Sequence, residues 1–103
     1  MGFLAQLFGF GPKVDYKELV EKGAIIIDVR TPGEFSSGHI RNCTNIPLQL
    51  IQGKLSKIKK DKPVILCCAS GARSGAASRI LKSKGFEAYN GGSWSSLNSK
   101  LNR

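Results

Sequence analysis

A chain of 103 residues holds one domain with a modest core, and its 41% hydrophobic and 22% charged residues are ordinary for a globular protein. The formal net charge of +9 favours anionic partners, from small anions or a membrane surface to an acidic partner protein, while the lack of an aromatic RNA-binding motif and of zinc-ligand spacing argues against nucleic acid. Three cysteines, Cys43 and the adjacent Cys67 and Cys68, make a poor disulfide framework and suit a reducing, cytoplasmic compartment.

Residues 1–12 read as an apolar N-terminal segment ahead of a domain spanning 13–103. The segment is too short to cross a bilayer and lacks the basic start and cleavage site of a signal peptide. Phe3, Leu4, Leu7 and Phe8 give it one apolar face, suited to packing on the domain or, as the sharper alternative, to a membrane surface. From Asp15 a helix is predicted to about Lys22, with Glu18 close to a capping box and Gly23 at its end. Ala24–Val29 is the strongest strand, and its unbroken apolar character suits a central parallel position. Thr31-Pro32-Gly33 breaks it, and Glu34–Ser37 allows only a short helical turn. A short strand around Cys43–Ile46 stops at Pro47. Leu48–Ile58 reads as one or two short helices, with Leu48, Leu50, Ile51, Leu55 and Ile58 on the buried side. Lys54, Lys57, Lys59, Lys60 and Lys62 form a basic run, read either as a solvated face or as an electropositive rim that draws in anions.

Val64–Leu66 is a second apolar run, opened by Pro63. Ala76, Ala77, Ile80 and Leu81 then fall on one face of a helix that starts near Arg73 or Ser74 and ends near Lys84, with Gly85 as its cap. Phe86–Tyr89 is a last strand, Asn90-Gly91-Gly92 a flexible turn, and Ser93 the cap of a final helix to Leu101 with Trp94 and Leu97 on its apolar side. The alternation of strand and helix predicts an α/β three-layer sandwich: a central parallel sheet of four or five strands with helices on both faces.

The stretch from Cys67 to Ser74 carries the chemistry. Ala69, Ser70, Gly71 and Ala72 are small enough for the backbone N–H groups to turn inward and cradle an anion. The following helix aims its positive dipole end at the same point, and Arg73 adds a fork of donors. A cysteine at the mouth of such a loop has its pKa lowered below the free value of about 8.5 and becomes a nucleophilic thiolate. Two registers remain open. Counted from Cys67, the loop resembles the phosphate loop of cysteine-dependent phosphatases. Counted from Cys68, it resembles the shorter active-site loop of single-domain rhodaneses.

Ile27-Asp28-Val29-Arg30-Thr31-Pro32-Gly33-Glu34-Phe35, then Gly38-His39-Ile40, then Asn45-Ile46-Pro47-Leu48 closely resembles the N-terminal signature of the rhodanese-like domain. Cys68-Ala69-Ser70-Gly71-Ala72-Arg73-Ser74 is similar to that family's catalytic loop, and Tyr89-Asn90-Gly91-Gly92-Ser93-Trp94 to its usual ending. The resemblance implies the Cys68 register. Cys68 then carries a sulfane sulfur as a persulfide, held by loop N–H groups and Arg73. The donor implied is thiosulfate or a persulfide, the acceptor cyanide or a thiol, with no metal or organic cofactor. Asp28, Arg30 and Glu34 read as structural ion pairs and His39 as structural. Cys67 is either an inert buried thiol or a resolving thiol. The competing functions are a low-turnover persulfide carrier or sensing module working with a protein partner, and a Cys67-dependent phosphatase or arsenate reductase.

Overall fold

The computed structural model describes residues 14–103, so the expectations for residues 1–12 lie outside the described residues. In chain order the elements are α1 (Tyr16–Glu21), β1 (Ile25–Asp28), α2 (Pro32–Ser36), β2 (Thr44–Asn45), a 3-10 segment (Leu48–Lys57), β3 (Val64–Cys68), α3 (Ala72–Ser83), β4 (Ala88–Ser93) and α4 (Trp94–Leu101). Caps explain several of the starts. The Asp15 carboxylate accepts the Glu18 N–H to open α1. Thr31 and Glu34 form a reciprocal capping box on α2. Ser93 accepts the Ser96 N–H to open α4.

The four strands run parallel in the order β2-β1-β3-β4. β3 is central and buried along its whole length, which accounts for its unbroken apolar run. The pleat divides its side chains. Val64, Leu66 and Cys68 join Ile51, Ile58, Ala77, Leu81 and Phe86 on the face covered by the 3-10 segment and α3. Ile65 and Cys67 join Ile26, Ile40 and Leu97 on the face covered by α1 and α4. The result is the three-layer sandwich that the alternation of elements predicts.

Two local expectations are corrected. Leu50 is 52% exposed rather than buried. The segment winds with three residues per turn, so Leu48 and Ile51, and again Leu55 and Ile58, pack inward as i,i+3 pairs while Leu50 falls between them. Asn90-Gly91-Gly92 is not a turn but part of β4, which shifts register against Leu66 and Cys68. Gly91 lies flush on the core, where a Cβ would come within 2.9 Å of Ile65, and Gly92 takes φ +83° to make the irregularity. The paired glycines thus mark a bulge and a close approach. Of the lysine run, Lys59, Lys60 and Lys62 precede β3, whereas Cys68 ends it, so these three enter the strand from the end away from Cys68. Among the described residues, no helix is long and apolar enough to cross a membrane.

Candidate active site

The C-terminal edge of a parallel sheet is where strand ends and helix N-termini converge. β3 delivers Cys68 there as its last residue, and Gly71, at φ +104°, turns the chain directly into α3. A side chain at Gly71 would be strained by that angle, and its Cβ would sit 3.4 Å from Gly92. The turn points donors back at the thiol. The Gly71 N–H lies 3.0 Å from Cys68 Sγ, the Ser74 N–H 3.3 Å and Ser74 Oγ 3.3 Å.

Burial alone disfavours ionisation of Cys68. Hydrogen bonds from the Ser74 hydroxyl and from the N–H groups of Ser74, Gly71 and Ser70 outweigh it and bring the pKa below the ordinary thiol value. Ala69, Ser70 and Ala72 are exposed around the loop, while Ser74 is buried beneath it. Cys68 itself is 0% exposed.

Cys67 stands one residue away in a different environment. The pleat turns it to the opposite face, among Ile26, Ile40, Ile65 and Leu97. Burial, aided by the nearby Asp28 carboxylate, pushes its pKa up to about 12. Cys43, half-buried on the same face, is pushed up to about 11 for the same reasons. Cys67 and Cys68 thus belong to the cores on opposite faces of the sheet.

Asp28, Arg30, Glu34 and Arg73 form two ion pairs. The Asp28 carboxylate accepts from Arg30 Nη2 at 2.8 Å, from Nε at 3.0 Å and from the Arg30 backbone N–H at 3.0 Å. Arg30 also donates to the carbonyls of Gly38 and Glu34, and its guanidinium stacks 4.9 Å from the Trp94 ring. Glu34 takes part in that network only through its backbone. Its carboxylate receives the Arg73 fork at 2.8 and 3.0 Å. The Arg73 hydrogen bonds, helped by Thr31, lower the Glu34 pKa to about 2. Arg73 therefore ties the start of α3 to the start of α2. His39 lies apart from the loop: its Nδ1 is 2.7 Å from the Phe35 carbonyl and its ring stacks on Phe35 at 3.8 Å.

Two asparagines went unread in the sequence. Asn45 Nδ2 donates to the carbonyls of Asp28 and Arg30, holding the end of β1. Asn90 Nδ2 donates to the Gly71 carbonyl at 3.1 Å, and Asn90 Oδ1 accepts from Ser74 Oγ at 2.7 Å and from the Gly92 N–H at 3.0 Å. The sequence signals for Asn90 are its place before the paired glycines and within the stretch that is similar to the family's ending.

Taken together, the loop groups set inward N–H donors around one buried sulfur, suited to a thiolate or a terminal sulfur anion. The family model for the rhodanese-like domain matches residues 13–98. YqhL of Bacillus subtilis is 46% identical over 68 residues, which make up 65% of this chain and 54% of YqhL, so the chain spans about half the length of that relative. The thiosulfate sulfurtransferase GlpE of Pseudomonas syringae is 32% identical over 75 residues, covering 73% of this chain and 71% of GlpE. The crystal structure of a rhodanese-like domain protein from Staphylococcus aureus superimposes with a TM-score of 0.71 at 31% identity, covering 81% of each chain. With the family model matching residues 13–98 and a relative 32% identical over more than two thirds of each chain, the chain belongs to the rhodanese-like domain family.

Proposed function

We propose that the protein is a sulfurtransferase that moves a sulfane sulfur from thiosulfate, or a related persulfide donor, to cyanide or a thiol acceptor through a persulfide on Cys68. The observation that carries this reading is the convergence of the Gly71 and Ser74 N–H groups and the Ser74 hydroxyl on one sulfur. In the first step the Cys68 thiolate attacks the outer sulfur of thiosulfate. The S–S bond of the donor breaks, and sulfite leaves with the bonding pair. The terminal sulfur of the persulfide then carries the negative charge at the loop N–H groups. In the second step cyanide or a thiolate attacks that sulfur, and the Cys68 thiolate leaves. The sulfur atom passes on without any external oxidant or reductant.

The same geometry weighs against phosphate chemistry. A six-residue loop from Cys68 to Arg73 makes a cradle for one sulfur atom, and Cys67 lies outside it on the other face of the sheet. A second reading has its own support. The Arg73 guanidinium is engaged by Glu34, and the loop side chains are small, so little in the loop selects a dianionic donor. That favours a low-turnover persulfide carrier supplied by a protein partner. The free thiols at Cys43, Cys67 and Cys68 suit a reducing compartment such as the cytoplasm.

Intact mass spectrometry after incubation with thiosulfate tests the proposal on the native chain, Cys67→Ser and Cys68→Ser. The expected result is a gain of one sulfur atom that survives Cys67→Ser and is lost in Cys68→Ser. Steady-state thiocyanate formation then separates an enzyme from a carrier. Absence of an adduct with every sulfane donor, or hydrolysis of a phosphate ester lost in Cys67→Ser, overturns the Cys68 assignment.

A further inference from the structure

The Ser74 hydroxyl has a single proton and two neighbours able to take it. One is Cys68 Sγ at 3.3 Å, the other Asn90 Oδ1 at 2.7 Å. The orientation of the Asn90 amide decides between them. Its Nδ2 faces the Gly71 carbonyl at 3.1 Å and its Oδ1 faces the Gly92 N–H at 3.0 Å. Flipping the amide would set oxygen against oxygen at Gly71 and N–H against N–H at Gly92, so the orientation is fixed by its neighbours. Oδ1 has only lone pairs. Ser74 therefore donates to Asn90, and what it offers Cys68 is a lone pair, matched to a protonated thiol.

We propose that Asn90 is a positioning residue that holds the Ser74 proton away from Cys68, so that the thiol must compete with it to ionise. The proposal rests on the reading of Cys68 as the sulfur-carrying thiol. When Cys68 ionises, the thiolate is the stronger acceptor, and the Ser74 hydroxyl turns from Asn90 to Sγ. When Cys68 is loaded, the negative charge moves to the terminal sulfur and Sγ becomes a neutral disulfide-type atom. The Ser74 proton then returns to Asn90. Asn90 thus favours the neutral thiol and the persulfide over the bare thiolate, and the hydroxyl turns with each loading cycle.

The surrounding charges are separate from this pair. Arg73 on α3 is held by Glu34 on α2, Asp28 on β1 and Cys67 on β3 lie toward the other face of the sheet, and Tyr89 on β4 is bound by Glu87. A substitution at Asn90 leaves all of them in place.

The test is the ionisation midpoint of Cys68, read by ultraviolet thiolate absorbance with Cys68→Ser as the blank. Cys43 and Cys67 titrate at about 11 and about 12, above the range of interest. Asn90→Leu frees the Ser74 proton and is expected to raise the Cys68 ionisation constant about threefold to tenfold, the effect of one hydrogen bond. Asn90→Asp keeps the acceptor and strengthens it, and is expected to move the midpoint the other way. In a Ser74→Ala background, Asn90→Leu is expected to change nothing. An equal shift in that background, or no shift in the Ser74 protein, overturns the proposal in favour of a plain tether on Gly71. If Asn90→Leu does not fold, an Asn90→Asp midpoint at or below the native one overturns it as well. The absorbance titration does not depend on sulfur loading. A native protein that never forms the persulfide refutes the proposed function while these midpoints still decide the role of Asn90.

Discussion

The Asp28–Arg30 pair supports a sharp prediction because both partners are buried. Their side chains are 0% and 5% exposed, and Asp28 Oδ2 lies 2.8 Å from Arg30 Nη2. Asp28→Asn keeps the volume, removes the charge and turns one acceptor oxygen into a donor facing the guanidinium. Arg30 is left as a buried cation whose remaining partners are the Gly38 and Glu34 carbonyls and the face of Trp94. Breaking a buried pair from one side costs about 3–5 kcal/mol, a large share of the roughly 5–15 kcal/mol that hold a domain together. For a domain of this size the melting temperature falls by more than about 12 °C. Urea denaturation of Asp28→Asn beside Glu34→Gln checks the reasoning. The Glu34–Arg73 pair, 38% and 35% exposed, belongs with surface pairs that add little to stability. A loss under about 1 kcal/mol in Asp28→Asn, no larger than in Glu34→Gln, refutes the argument from burial and means that water compensates the guanidinium.

Three further outcomes are expected. Gly91→Ala puts a methyl 2.9 Å from Ile65 Cγ2, 3.0 Å from Leu97 Cδ2 and 3.1 Å from the Leu66 carbonyl, and overpacking of this kind costs about 1–3 kcal/mol in chemical denaturation. Cys67 and Cys43 have raised folded pKa values, about 12 and about 11 against 9.0, so the folded state holds their protons more tightly. Their contribution is complete below pH 9.0 and disappears as pH rises toward 12, up to about 4 kcal/mol from Cys67, and Cys67→Ala flattens that alkaline loss in urea titrations. Glu34 has the opposite sign: its pKa is lowered from 4.5 to about 2, so its contribution is present above 4.5 and lost as pH falls toward 2, and Glu34→Gln removes that acid dependence.

The sequence was most legible where structure is local. An apolar run, four small residues and an amphipathic stretch are enough to predict β3, its loop and α3, because each signal is contained in a few neighbouring positions. The Asp28–Arg30 pair was equally accessible, lying two residues apart at the end of a strand. Glu34 and Arg73 are separated by 39 positions, and no local pattern distinguishes that pairing from Glu34 with Arg30. The paired glycines of β4 carry the composition of a turn, and only the packing of Ile65 and Leu97 against Gly91 marks them as strand. Leu50 is apolar like its buried neighbours, and only the three-residue turn of the segment leaves it outside. The role of Asn90 is hidden for a related reason: its partners, Gly71 just before α3 and Ser74 within it, become neighbours only once β3 and β4 pair.

Adjacent cysteines with opposite behaviour follow from the same geometry. A strand places successive side chains on opposite faces, so Cys67 enters an apolar layer whose burial and nearby carboxylate suppress ionisation. Cys68 enters the layer where α3 begins, and there inward N–H groups overcome the cost of burial. On the proposed function, burial would shield a persulfide on Cys68 from water and stray thiols, and each transfer would then need the loop to give way. The two ion pairs are graded to that need. Asp28–Arg30 is buried and fixes the corner from which α2 starts, while Glu34–Arg73 joins that corner to the loop from the surface, where ion pairs are weak and easily exchanged with water. A rigid base with a loosely held cover is what a site needs if it must both shield a reactive sulfur and give it up.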